Sequence, residues 1–129
     1  MRSDIEFPTV EEVYMAITKE ESMWRVYLIN RSEYLLDTIL ITSKGYGEKN
    51  GEKQRTSTMR HAIPKLEKGE YALIEPIDPE VFHLTNEYWL SYYIGEQIYD
   101  KKYLFLPDTI RVENLSKIDE LDFPGVLHR

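Results

Sequence analysis

The chain has no cysteine among its 129 residues, which excludes disulfide bonds, thiolate metal sites and cysteine nucleophiles. Secreted domains of this size commonly carry disulfides, so the absence favours the cytoplasm. The N-terminal residues Met1–Glu6 are charged and lead into no apolar signal segment. No apolar run approaches the length of a membrane span. We therefore expect a cytoplasmic protein without a membrane-bound part.

Catalytic and cofactor-binding motifs are missing as well. No nucleophile elbow occurs, and the glycines around Gly45 match neither a dinucleotide-binding loop nor a P-loop. His61 and His83 are the best candidates for a metal or proton-transfer site, but neither has a second ligand at metal-binding spacing. We therefore expect no enzymatic activity, no cofactor and no metal, and structural or surface roles for both histidines.

Short alternating apolar runs separated by turn residues fill most of the chain, and no amphipathic helix of 10–15 residues lies between them. Alternation with period two is the pattern of half-buried strands. Seven runs are predicted as strands: Val13–Thr18, Trp24–Asn30, Leu36–Thr42, Arg55–Ile63, Glu70–Glu75, Tyr88–Ile94 and Gln97–Leu106. A sandwich of two antiparallel sheets buries seven such strands economically, and the order of long and short connections is typical of immunoglobulin-like domains.

The predicted fold is therefore all-β: an immunoglobulin-like antiparallel sandwich of about seven strands, forming a single domain over residues 1–129. A partly open barrel is the alternative. Residues 1 to about 9 are expected to form a loose arm. After Pro107 the tail is expected to be mostly irregular.

The sharpest local signal is Asn50-Gly51, the strongest two-residue hairpin turn. This turn places Lys49 opposite Glu52 and Glu48 opposite Lys53, so each pair has opposite charges. The same register places Tyr46 opposite Arg55, where a cation–π contact is expected. The sequence thus predicts a long hairpin that protrudes from the sandwich.

A second hairpin turns at Gly95-Glu96, with Ile94 opposite Gln97. One face of this hairpin is predicted to enter the core. The other carries a row of large apolar side chains that need cover: Trp89, Tyr93, Ile98, Leu104 and Leu106. Two covers are considered: the C-terminal tail, through Leu115, Ile118, Leu121 and Phe123, or a protein partner such as a second copy of the chain.

Charge is distributed unevenly over a chain whose net charge is −7. The segment 44–60 has five basic residues against two acidic ones, and the segment 108–122 has five acidic residues against two basic ones. In a homodimer, the acidic segment is expected to approach the basic hairpin of the neighbour. Alternatively, the hairpin residues Tyr46, Lys49, Lys53 and Arg55 contact nucleic acid, although the interleaved glutamates dilute the positive field.

Several blocks of the chain resemble a family of short bacterial proteins from the Bacteroidetes: Thr42–Glu48, Arg60-His61, Glu80–Trp89, Tyr99–Lys102 and Gly125–His128. The resemblance covers nearly the whole chain but implies no activity, because none is assigned to that family. Some members carry the name phenylalanyl-tRNA synthetase α subunit. This chain lacks the segments such a catalytic core needs for ATP binding, so we expect no such activity.

The expected function is therefore that of a non-enzymatic cytoplasmic sandwich that acts through protein–protein contacts. The candidate contact residues are Trp89, Tyr93, Ile98, Leu104 and Leu106 on one hairpin and Tyr46, Lys49, Lys53 and Arg55 on the other. The alternative is a nucleic-acid or translation-associated accessory protein that uses the basic hairpin 44–60.

Overall fold

A computed structural model describes residues 12–129 as two antiparallel sheets packed face to face. The first sheet has the strand order β6-β2-β1-β9, formed by β1 (Val13–Glu20), β2 (Met23–Asn30), β6 (Tyr71–Pro76) and β9 (Gly125–His128). The second sheet contains β3 (Leu36–Lys49), β4 (Glu52–Arg55), β5 (Met59–Leu66), β7 (Thr85–Ile94) and β8 (Gln97–Phe105). Here β7 lies between β3 and β8, while β4 and β5 pair with the other edge of β3.

The strand order confirms the predicted immunoglobulin-like sandwich. The first, second and sixth strands share one sheet, as strands A, B and E do in that fold, while β3, β7 and β8 occupy the places of C, F and G. Within residues 12–129 the remaining regular structure is two short 3₁₀ turns, Pro79–Val81 and Val112–Asn114. None of the described residues forms a helix long and apolar enough to cross a membrane.

Residues 12–129 form nine strands where the sequence predicted about seven, for two physical reasons. The return arm of the first hairpin is interrupted at residues 56–58, where the Thr56 amide donates to the Gly45 carbonyl at 2.8 Å. The arm therefore forms two strands, and the second, β5, continues through Pro64 because an edge strand tolerates proline. The tail supplies the other extra strand, β9, and is mostly irregular as expected, apart from the 3₁₀ turn Val112–Asn114. The predicted N-terminal arm lies outside the described residues.

The core lies between the two sheets and is built from the alternate residues of each strand. Met15 and Ile17 of β1 and Leu28 of β2 face Ile39 of β3 and Leu90 of β7, all fully buried. Aromatic rings fill the space near β8, where Tyr88 and Phe105 pack edge to face at a centroid distance of 6.1 Å. Because the inward residues are set by alternation, the outward residues of the same strands form the surfaces described next.

Candidate protein-binding face

The outward side of the second sheet, called here the outer face, carries large apolar side chains in the open. Trp89 on β7 is 42% exposed, Ile98 on β8 is 51% exposed and Leu40 on β3 is 51% exposed. Tyr93 is 37% exposed, and Leu106, just beyond the end of β8, is 55% exposed. Several large apolar side chains left open on one sheet face are a typical mark of an interaction surface. The five predicted contact residues of the second hairpin thus fall on one surface, with Leu104 half-buried among them.

The cover expected from the C-terminal tail is not formed on this face, which corrects one of the two alternatives. Leu115 packs against the core between the sheets and Phe123 is 37% exposed, while Ile118 and Leu121 pack against the outward side of the first sheet. There Ile118 is 1% exposed and contacts Tyr14, Ala16 and Ile29, with Leu121 and Leu127 beside it. The tail's apolar spacing fits either sheet, and the pairing of β9 with β1 decides between them.

An ion pair fixes the tail in this position. Arg31 donates to both carboxylate oxygens of Glu120, at 2.7 and 2.8 Å, and its guanidinium lies 4.9 Å from the Tyr14 ring centroid. The hydrogen bonds from Arg31 lower the pKa of Glu120. Bidentate charge-assisted bonds of this kind are the stronger class of surface ion pair. The part of the acidic segment around Ile118 and Glu120 is therefore held on the opposite side of the sandwich from the outer face, whereas Ile110 and Leu115, earlier in the segment, pack against the core between the sheets.

The basic hairpin forms as predicted, with Tyr46 opposite Arg55, Glu48 opposite Lys53 and Lys49 opposite Glu52. Alternation places the side chains of Tyr46, Lys53 and Arg55 on the same side as Trp89, and that of Lys49 on the other side. The two sets of candidate residues therefore form one continuous surface, apart from Lys49. Sequence analysis treated them as separate sites because their pairing through β3 and β7 is not visible locally.

Tyr46 is held against the outer face by Glu87 of β7 and Lys44 of its own strand rather than by the expected Arg55. Its hydroxyl donates to Glu87 at 2.9 Å, and the cation over its ring is Lys44, 5.9 Å from the centroid. Burial and the hydrogen bond to Glu87 raise the pKa of Tyr46. Lys44 also approaches Glu87 at 3.8 Å, and Lys102 lies 5.4 Å from the Trp89 ring. The ring faces are thus already partly occupied by the chain's own cations.

A polar cluster that sequence analysis missed lies where the two sheets meet. Glu75 of β6 accepts hydrogen bonds from His61 at 2.6 Å, Ser43 at 3.0 Å and Tyr88 at 3.0 Å. Burial and the charge of Glu75 raise the pKa of Tyr88 well above its usual range. A pocket of about 230 Å³ opens beside Ser43, Glu75 and Tyr88. No local signal marks this cluster, because its members come from four strands.

The hydrogen bonds of this cluster connect the two sheets. The Ser43 hydroxyl donates to Glu75 and not to His61, so the serine–histidine pair that activates a nucleophile is not formed. The second candidate histidine, His83, contacts Gln54 at 2.7 Å on the surface. Among residues 12–129 no three histidine or acidic side chains are grouped to hold a metal ion.

Comparison with known proteins gives no family for this chain: no protein-family model matches it, and no curated protein matches it significantly.

Proposed function

We propose that this protein is a non-enzymatic cytoplasmic sandwich that binds another protein through the outer face. The observation that carries the proposal is the difference in cover over the two sheets: the first sheet leaves Met23, Tyr71 and Leu73 open near its β6 edge, but its central strands are covered. The tail covers the outward side of β1 and β2, while Trp89, Tyr93 and Ile98 on β7 and β8 are left in the open. Tryptophan and tyrosine are enriched in interface cores, where a large ring contributes much buried area at little entropic cost.

The charge of the outer face favours protein over nucleic acid. Its basic side chains alternate with acidic ones: Glu48 lies opposite Lys53, and Glu87 contacts Lys44. A phosphate backbone needs an uncompensated positive surface, and the chain's net charge is −7. A mixed surface around exposed rings is instead the composition of a protein interface. Nucleic-acid binding through the hairpin 44–60 is therefore the second candidate.

Site-specific photo-crosslinking in the cells that produce the protein tests this proposal. A benzoylphenylalanine replaces Trp89 or Tyr93, and as a matched control it replaces Leu73, which is 52% exposed on β6 of the other sheet. We expect cross-linked protein products from positions 89 and 93 only, unchanged by RNase. Absence of products at both positions contradicts the proposal, and RNase-sensitive products favour the nucleic-acid alternative.

A further inference from the structure

The side chains that β8 contributes to the outer face follow a self-complementary order. From the turn onward they are Ile98, Asp100, Lys102 and Leu104: apolar, acidic, basic, apolar. When the same strand is laid over itself in the opposite direction, Lys102 meets Asp100 and Leu104 meets Ile98. A shift by two residues in either direction would place Asp100 over Asp100 or Lys102 over Lys102. The order therefore favours a single antiparallel register between two copies.

The outward residues of β3 and β7 are also complementary when a second copy is laid over them in the opposite direction. Strand pairing arranges the outer face in four rows that cross β3, β7 and β8, with a bulge in β3 between the last two rows: Lys44-Glu87-Leu104, Thr42-Trp89-Lys102, Leu40-Ser91-Asp100 and Asp37-Tyr93-Ile98. A half-turn that exchanges the first row with the fourth, and the second with the third, places Lys44 over Asp37 of the second copy.

The same half-turn also gives compatible side-chain contacts at the other positions of the rows. It places Trp89 over Ser91, so that the largest ring meets a small side chain, and Glu87 beside Tyr93, whose hydroxyl is a hydrogen-bond donor for a carboxylate. No like charges face each other in the four rows. Two kinds of opposite-charge pair cross the interface: Lys102 of one copy with Asp100 of the other, and Lys44 of one copy with Asp37 of the other. Complementarity of this kind selects partner and register.

Resting on the proposed function, we infer that the partner of the outer face is a second copy of this chain. The two sheets pack face to face with antiparallel strands, about a two-fold axis that crosses β7 between Trp89 and Ser91. Packed sheets lie about 10 Å apart and cross at about 30°, which displaces outer strands by a few ångström and keeps the Lys102–Asp100 pair within side-chain reach. Such an interface is isologous, as in most homodimers.

The size of the face sets the expected strength. With β5 beside β3, the face has four strands spaced about 4.8 Å apart. With about eight residues each, they present roughly 20 by 26 Å. That area lies at the low end of specific interfaces, where weak and transient association is common, so we expect a dissociation constant in the micromolar range. This arrangement differs from the dimer expected from the sequence. The part of the acidic segment that carries Glu120 is held against the first sheet and so stays away from the neighbour's basic hairpin.

Charge exchange at Asp100 and Lys102, followed by sedimentation velocity from 1 to 300 μM, tests the inference. D100K places a lysine over Lys102 of the second copy, and K102D places an aspartate over Asp100. We expect each single variant to weaken dimerisation at least tenfold. The double variant D100K/K102D restores it, as does an equimolar mixture of the two single variants. Trp89→Ala should also weaken dimerisation, whereas Leu73→Ala on the other sheet should not.

Three results would overturn this inference: a wild type that stays monomeric at 300 μM, single variants that dimerise like the wild type, or a mixture that stays monomeric. Far-UV circular dichroism and thermal unfolding of every variant identify any loss from misfolding, and the restored mixture excludes that cause directly. If the wild type is monomeric but positions 89 and 93 still cross-link to a different protein, the inference fails and the proposed function stands.

Discussion

Some buried tyrosine hydroxyls in this sandwich have a hydrogen-bond partner, and others do not. The Tyr103 hydroxyl donates to the Val13 carbonyl at 2.6 Å and so joins β8 to the start of β1. The hydroxyls of Tyr92 and Tyr99 are buried against each other's strands and have no hydrogen-bond partner among the described residues. Their rings pack at a centroid distance of 5.7 Å. A buried polar group without a partner costs free energy, whereas its replacement by an apolar one does not.

Removal of the Tyr92 hydroxyl should therefore be neutral or stabilising. We expect Tyr92→Phe to leave the free energy of unfolding unchanged or to raise it by up to about 1 kcal/mol. Tyr103→Phe is the matched control and should lower that free energy by about 1 kcal/mol, because it leaves the Val13 carbonyl without its donor. Urea denaturation measures both. Equal destabilisation by the two substitutions would contradict this account of the hydroxyls.

Among the strands, the first hairpin follows local sequence most closely. Asn50 and Gly51 have φ angles of 55° and 80°, as a type I′ turn requires. A side chain added at Gly51 meets nothing within 4 Å, so its cost is purely conformational. Gly51→Val should therefore loosen the hairpin by roughly 1–2 kcal/mol and leave the core intact.

Solution NMR distinguishes this local effect from general unfolding. In Gly51→Val, contacts between Glu48 and Lys53 should weaken while amide protection in β2 and β7 stays unchanged. Asn50→Gly keeps the turn's conformational freedom and serves as the control. Loss of protection throughout the sandwich would show that the hairpin is part of the cooperative core.

The tail is the element that sequence alone could not place. Its apolar residues Leu115, Ile118 and Leu121 fit either sheet. Their spacing predicts that one side of the tail is apolar, but it does not predict which sheet that side packs against. The deciding residue is Gly125, where β9 passes so close to β1 that a Cβ would lie 2.7 Å from the Ile17 carbonyl and 2.8 Å from Ile118. That close approach depends on tertiary contact, so no local pattern reveals it.

Gly125→Ala should consequently displace β9 from β1. Overpacking of this kind costs about 1–3 kcal/mol, and the uncovered side of the first sheet should then bind hydrophobic dyes. Gly69→Ala is a useful comparison, because its added Cβ meets nothing within 4 Å and its cost comes only from a φ of 81°. Dye binding and thermal unfolding measure both variants. A Gly125→Ala protein as stable as the wild type, with no dye binding, would contradict the close packing of β9.

At the scale of the whole molecule, alternation predicted which residues of the last hairpin face the core, but not what joins the two sheets. That role falls to Glu75, whose donors Ser43 and His61 come from strands 32 and 14 residues away. The pairing of both candidate surfaces into one outer face has the same origin, since β3 and β7 are brought together across 35 residues or more of intervening chain. A period-two pattern determines which residues of a strand share a face. Which strand faces come together in the fold is determined by long-range strand pairing.

The burial of many tyrosines gives the folded protein a defined limit at high pH. Burial raises the pKa of Tyr88, Tyr92 and Tyr103, and burial together with the hydrogen bond to Glu20 raises that of Tyr27 to about 12. Below pH 10 these phenols are protonated in both the folded and the unfolded chain, so the stability linked to them is fully present. Above pH 10 the unfolded chain releases protons that the folded chain retains, so stability falls as pH rises towards 12 and beyond.

Absorbance at 295 nm, recorded with circular dichroism, should show the buried tyrosines ionising only as the sandwich unfolds. Complete ionisation of all ten tyrosines in a protein that is still folded would contradict this prediction.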